Sequence, residues 1–316
     1  MDSLSQEFDL FPAIEPHRTG FLDVGDGHDL YWEECGNPDG VPVVFLHGGP
    51  GAGTGSQHRR FFDPDHWRII LFDQRGAGRS KPHASIEANT TDHLVRDIET
   101  LRAFFGVDRW LVFGGSWGAL LALVYAIRHA DRCLGLILRG VFLGRRAELD
   151  WFLDGMGIFF PEARRAFVTF LPENEQGDVL DAYFRRLGDP DPAIHMAAAR
   201  AWNTYENACS LLVPRLPGTD GTGALHLARI EAHYFRHAMF LEENYILDNI
   251  AAIQTIPGTI VQGRYDVICP IHTADALARA WPGANLVIVA DAGHSAMEPP
   301  IRRALVRAGE GFKSLV

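Results

Sequence analysis

The sequence alternates between short apolar runs and longer helical patterns, and this alternation limits the possible folds more than any other feature. Six apolar runs have the length and composition of strands buried on both faces, at residues 43–46, 69–72, 110–113, 134–138, 259–262 and 286–289. Helical patterns lie between these runs, at 92–105, 117–129 and 273–280. Parallel strands require crossover connections of this kind. The pattern predicts an α/β protein with a mostly parallel central sheet flanked by helices.

The alternation stops between residues 141 and 250, where helical patterns at 178–187, 191–212 and 224–240 follow one another without strand signals. We interpret this region as a helical cap inserted into the sheet domain. The predicted division is therefore a core domain of residues 1–140 and 251–316 and a cap of residues 141–250. Proline and glycine at 214–221 predict a loop within the cap, and the runs at 21–24 and 29–33 flank a glycine turn that predicts a β-hairpin.

Composition excludes several classes of function. Asp and Glu total 40 against 29 Lys and Arg, a net charge of −11, which disfavours nucleic acid as a partner. The four cysteines form no C-x-x-C pair, so neither a zinc site nor a dithiol redox motif is indicated and we expect reduced thiols. The first residues lack a basic segment followed by an apolar one, and no apolar run has membrane-spanning length. We therefore expect a cytoplasmic protein without a membrane partner; the oligomeric state stays open.

The segment 114–118 reads Gly-Gly-Ser-Trp-Gly and lies between a predicted strand and a predicted helix. A G-x-S-x-G sequence in that position is the nucleophile elbow of the α/β-hydrolase fold, a sharp turn that presents its serine above the sheet. Glycines at 114 and 118 leave room for close passage of the chain. The elbow predicts Ser116 as a nucleophile.

A serine nucleophile needs a base, and in this fold the chain order is serine, acid, histidine. Asp266 follows the predicted strand that ends at residue 262, and His294 follows the one that ends at residue 289. Both are expected at the sheet edge where Ser116 emerges. Asp291 is an alternative acid, but its closeness to His294 in sequence makes a hydrogen bond to the far ring nitrogen awkward, so Asp266 is preferred. We expect no metal and no cofactor, because this serine chemistry needs none.

The segment 47–51, His-Gly-Gly-Pro-Gly, follows the predicted strand at 43–46, where this fold supplies an N–H to the oxyanion hole. Because Pro50 has no N–H, Gly49 is the predicted donor, and Trp117, which follows the nucleophile, is the second. A phosphate-binding loop is the alternative interpretation, but the G-K-[ST] ending is missing.

These motifs, together with Asp-Gln-Arg-Gly-Ala-Gly-Arg-Ser at 73–80 and Gly-Arg-Tyr-Asp at 263–266, resemble those of the prolyl aminopeptidases, or proline iminopeptidases, over nearly the whole chain. The resemblance implies a serine exopeptidase that releases an N-terminal proline from a small peptide with a free N-terminus. Cap segments at 202–207 and 229–235 are similar to those whose glutamates bind the substrate imino group, which implies that role for Glu206 and Glu231. By the same resemblance, Phe142, Phe152 and Phe235 line the proline pocket.

Other functions remain compatible with the same residues. The triad could serve an esterase, an amidase or an acyltransferase with another acyl substrate. A binding protein without catalysis would require an incomplete triad. An epoxide hydrolase or haloalkane dehalogenase would require an aspartate in place of Ser116. Phe152 also stands where some relatives have a tyrosine, and Ala77 where some have a cysteine, so proline preference is less firmly implied than hydrolysis.

Overall fold

The computed structural model describes residues 9–213 and 224–315. Its centre is an eight-stranded sheet in the order β1-β2-β4-β3-β5-β6-β7-β8. β1 pairs with β2 and β2 with β4 in antiparallel fashion, and all remaining pairs are parallel. The strands are β1 (Arg18–Asp23), β2 (Asp29–Gly36), β3 (Val41–Leu46), β4 (Trp67–Phe72), β5 (Trp110–Gly115), β6 (Cys133–Arg139), β7 (Gly258–Gly263) and β8 (Ala284–Val289). The predicted α/β class and the predicted hairpin are confirmed.

Helices occupy both faces of the sheet and the interval between β6 and β7. The α-helices are α1 (Thr91–Phe104), α2 (Trp117–Arg128), α3 (Arg146–Leu153), α4 (Pro161–Thr169), α5 (Val179–Leu187), α6 (Pro192–Cys209), α7 (Ala224–Arg236), α8 (Tyr245–Asp248), α9 (Ile271–Ala280) and α10 (Pro299–Phe312). In the described residues, none of these helices has the length and apolar character needed to cross a bilayer.

The strands send alternate side chains to two hydrophobic cores. In β3, Val44 and Leu46 pack with α1 and α2, whereas Val43 and Phe45 pack on the opposite face with α10. The first core continues without interruption into the helices between β6 and β7, including Trp202 of α6. The division into a core domain and a cap at residues 141 and 250 stays a prediction, because the two regions share this core.

Three details differ from the sequence-based expectations. The last strand, β8, lies at the edge of the sheet and leaves Ile288 41% exposed, so the expectation of burial on both faces is wrong for it. The helix expected to reach residue 240 ends at Arg236, because Ala238, Met239 and Phe240 have positive φ angles of 46°, 57° and 54°. The helix expected at 191–212 ends at Cys209. The loop predicted at 214–221 lies outside the described residues.

The parallel strands explain where a site can form. β3, β5, β6, β7 and β8 run in the same direction, so the segments that follow them all emerge at one edge of the sheet. Ligands bind at this edge in open α/β sheets. The predicted residues Gly49, Ser116, Asp266 and His294 lie in these segments, and Arg139 is the last residue of β6.

Candidate active site

Ser116 occupies a strained turn between β5 and α2. Its φ and ψ angles are 59° and −123°, a conformation that costs a residue with a side chain about 1–3 kcal/mol. The turn is tightly packed: a Cβ at Gly114 would lie 2.1 Å from the carbonyl oxygen of Gly118, and one at Gly118 would lie 2.1 Å from that of Leu46. Glycine is required at both positions, and the strain is held by the surrounding sheet.

His294 and Asp266 form a buried ion pair or hydrogen-bonded pair. The Nδ1 atom of His294 lies 3.0 and 2.9 Å from the two carboxylate oxygens of Asp266. The same carboxylate accepts hydrogen bonds from the amide of Gln262 at 3.0 Å and from the N–H of Cys269 at 2.8 Å. Because this carboxylate accepts from its neighbours, Nδ1 of His294 carries the ring proton and Nε2 is the acceptor nitrogen of the ring. Asp291, the alternative acid, is exposed.

Burial lowers the pKa of His294, and the charge of Asp266 opposes that effect. The imidazole is therefore neutral near pH 7, which is the form able to accept a proton. The backbone N–H groups of His294 and Ser295 both donate to the carbonyl of Ser210, which follows α6, at 3.2 and 3.0 Å. The histidine loop is thus attached to the helices between β6 and β7.

One predicted oxyanion donor lines the cavity of Ser116, and the other follows Ser116 in the chain. Gly49 lies in the loop after β3 and lines the same cavity as Ser116, and Trp117 is the first residue of α2. Among the described residues, neither N–H donates a backbone hydrogen bond. The surrounding loop is held by Gln74, whose amide oxygen accepts from the Trp117 indole and whose N–H donates to His47 Nε2, both at 2.9 Å. Burial lowers the pKa of His47 to about 4, so this imidazole is a neutral acceptor.

Two glutamates, Glu206 on α6 and Glu231 on α7, interact electrostatically with each other. Glu206 lines a cavity of about 210 Å³ together with Ser116 and His294. Glu231 is buried and accepts a hydrogen bond from the indole N–H of Trp202 at 2.6 Å. Burial raises the pKa of Glu206 to about 7. Burial, and then the charge of Glu206, raises the pKa of Glu231 well above its usual value. Burial thus favours the protonated form of both carboxyl groups, whereas a bound cation would favour their ionised form.

The three predicted phenylalanines form one aromatic cluster. The ring centroid of Phe235 lies 6.3 Å from that of Phe142 and 5.1 Å from that of Phe152. Trp202 stacks on Phe152 at 5.8 Å and so joins this cluster to Glu231. Apolar rings thus stand beside the carboxylate pair.

Two residues at the site were not found from the sequence. The guanidinium of Arg139 lies against His294, with Nη1 2.9 Å from the imidazole Nε2. The thiol of Cys269 lies beside the Ser116 hydroxyl, and burial raises its pKa well above the usual value, so it is neutral. Arg139 is the last residue of β6, and Cys269 lies in the segment that follows β7. These positions could have indicated both residues from the sequence, since the two strands end at the edge that carries Ser116.

Comparison with known proteins identifies the chain. A family model described as the alpha/beta hydrolase fold matches residues 41–299, so the protein is an α/β hydrolase. A solved structure of a proline iminopeptidase from Mycobacterium smegmatis shares this fold, with a TM-score of 0.63, 17% identity, and coverage of 94% of this chain and 98% of that one. Closer relatives in sequence define the family more narrowly.

A proline iminopeptidase of Arabidopsis thaliana is 52% identical over 97% of this chain and 83% of the relative. A probable proline iminopeptidase of Leptolyngbya boryana is 51% identical over 96% of each chain. The chain belongs to the proline iminopeptidase family. The resemblance inferred from the motifs is thereby confirmed.

Proposed function

We propose that this prolyl aminopeptidase releases an N-terminal proline through a Ser116–His294–Asp266 triad and an acyl-enzyme. The observation that carries the proposal is the cavity in which Ser116 and His294 stand beside Glu206, because this cavity joins a nucleophile to a group able to bind an amine. A hydrolase without amine recognition would have no need of a partly buried carboxylate there, since such a group is costly to desolvate.

The chemistry follows from the positions of these groups. The Ser116 hydroxyl attacks the prolyl carbonyl while His294 Nε2 takes its proton, and Asp266 stabilises the resulting imidazolium. The N–H groups of Gly49 and Trp117 stabilise the oxyanion; one such donor contributes about 2.7–4 kcal/mol. His294 then protonates the leaving amine as the C–N bond breaks. Water attacks the acyl-enzyme with His294 again as base, which releases proline and restores Ser116.

Substrate selection uses the carboxylate pair and the aromatic cluster. The protonated imino group of proline is a cation, so it displaces the proton held by Glu206 and Glu231 and is stabilised by their negative charge. The rings of Phe142, Phe152 and Phe235 offer an apolar surface for the pyrrolidine ring. The substrate is a small peptide with a free N-terminus.

The same proposal includes a cytoplasmic location and no nucleic acid partner. The location is supported by four cysteines that are buried and free as thiols, a state favoured in reducing compartments. The absence of a nucleic acid partner is supported by the net charge of −11.

A comparison of two substrates tests amine recognition. In a Glu206→Gln or Glu231→Gln variant, kcat/KM for a prolyl arylamide should fall about 10- to 150-fold, the equivalent of about 1.5–3 kcal/mol for a hydrogen bond to a charged group. Cleavage of a small neutral ester should fall much less. Ser116→Ala serves as the inactive control for both substrates. Equal losses on the amine substrate and the ester would contradict the assigned role and favour an esterase, an amidase or an acyltransferase with another substrate.

A further inference from the structure

Arg139 places a guanidinium inside the cavity that holds Ser116. The residue ends β6, and its Nη1 atom donates to the Nε2 and to the carbonyl oxygen of His294 at 2.9 and 3.0 Å. Its Nη2 atom lies over the nucleophile elbow, because a Cβ at Gly115 would be 2.6 Å from it. Glu206 lines the same cavity, which therefore contains one cationic and one acidic side chain.

This guanidinium lacks a carboxylate of its own. Other arginines buried in the fold are paired: Arg75 with Asp97 at 2.7 Å and Arg59 with Glu33 at 2.8 Å. Within the residues that the structure describes, Arg139 forms no ion pair with Asp or Glu, and its buried Nε has no hydrogen-bond partner. Burial lowers the pKa of Arg139, and the charge of Asp266, the partner of His294, opposes that effect. A partly buried cation of this kind gains most from an anion that enters with a ligand.

The contact between Arg139 and His294 indicates where the anionic group of such a ligand would bind. Neutral imidazole has one lone pair at Nε2, and here it accepts a hydrogen bond from Arg139, so it cannot at the same time accept the Ser116 proton. During the reaction this same nitrogen must protonate the leaving amine. The Arg139 guanidinium therefore occupies the position that the leaving amine must take. The guanidinium has to rotate away from Nε2 of His294 before the reaction can proceed.

We propose that Arg139 binds the α-carboxylate of the residue that follows proline, so that prolyl dipeptides are the preferred substrates. This inference rests on the function proposed above. In a dipeptide, a single carbon separates the leaving nitrogen from the C-terminal carboxylate. When the leaving nitrogen takes the place of the Arg139 guanidinium at Nε2 of His294, the carboxylate comes within reach of that guanidinium. Glu206 at the imino end and Arg139 at the carboxylate end match the two charges of a zwitterion. Binding of the carboxylate also frees the lone pair of His294 for Ser116.

The test compares prolylglycine with prolylglycinamide, which differ in the charge of the C-terminal group. For the native enzyme, kcat/KM should be about 10- to 100-fold higher for the acid, the effect of a charge-assisted hydrogen bond. In an Arg139→Gln variant the acid-to-amide ratio should fall to about 1, and Arg139→Lys, which keeps the cation, should restore part of it. Arg264→Gln removes an exposed arginine close to Asp266 in sequence and should leave the native ratio.

The ratio of the two kcat/KM values is the readout, because a merely structural role of Arg139 would lower both values together. A native ratio near 1, or an equal loss on both substrates in Arg139→Gln, would overturn the proposal. The native ratio provides a test even if the variant fails to fold. A native enzyme that cleaves no prolyl arylamide would instead refute the underlying peptidase function, and that outcome is separate from the ratio.

Discussion

Replacing Gly140 by alanine should disable the histidine while the protein remains folded. Gly140 follows β6 with φ of +56°, and a Cβ built there would lie 2.8 Å from Cε1 and 3.0 Å from Nδ1 of His294, and 3.3 Å from a carboxylate oxygen of Asp266. Carbon atoms prefer separations of about 3.5–4.0 Å, so the ring must move by roughly 1 Å. A displacement of that size typically reduces turnover about 100-fold. The left-handed backbone adds a stability cost of about 1–2 kcal/mol for alanine.

A matched variant separates the catalytic effect from the loss of stability. Gly144 also has a positive φ, +74°, but a Cβ there would meet Leu120 and Met239 at 2.7 and 2.8 Å rather than the histidine. Gly144→Ala should therefore lose a similar free energy of unfolding in urea while its kcat for a prolyl arylamide stays within a few-fold of native. Native kcat in Gly140→Ala, or an equal fall in kcat for both variants, would refute the inferred displacement of His294.

Two further predictions concern the carboxylate pair. Burial raises the pKa of Glu206 from 4.5 to about 7. Between these two values the folded protein keeps a proton that the unfolded chain releases. This residue therefore makes the free energy of unfolding fall as the pH rises from about 4.5 to about 7. Urea unfolding at about pH 5 and about pH 8 should show a smaller fall for Glu206→Gln than for the native protein; parallel curves would contradict the shift. Trp202→Phe removes the indole donor to Glu231 and should raise KM for a prolyl arylamide about tenfold, measured from initial rates; an unchanged KM would exclude this role.

Local signals predicted much of the fold. Strand β5, the Gly-Gly-Ser-Trp-Gly elbow and α2 are adjacent in sequence, so turn chemistry and periodicity were enough to place Ser116 between them. The end of α7 was missed because the left-handed backbone at residues 238–240 breaks a helical pattern that the side chains continue. The exposure of β8 was missed because apolar composition does not reveal which strand lies at the edge of a sheet.

By itself, the sequence predicted that Ser116, Asp266 and His294 lie at one edge of the sheet. Parallel strands end at that edge, and the order of the three residues along the chain assigns them to segments that follow neighbouring strands. Only the tertiary structure decided that Arg139 donates to His294 and that burial raises the pKa of both Glu206 and Glu231. Those properties depend on side-chain direction and on the exclusion of water, and both arise only when helices distant in sequence pack over the sheet.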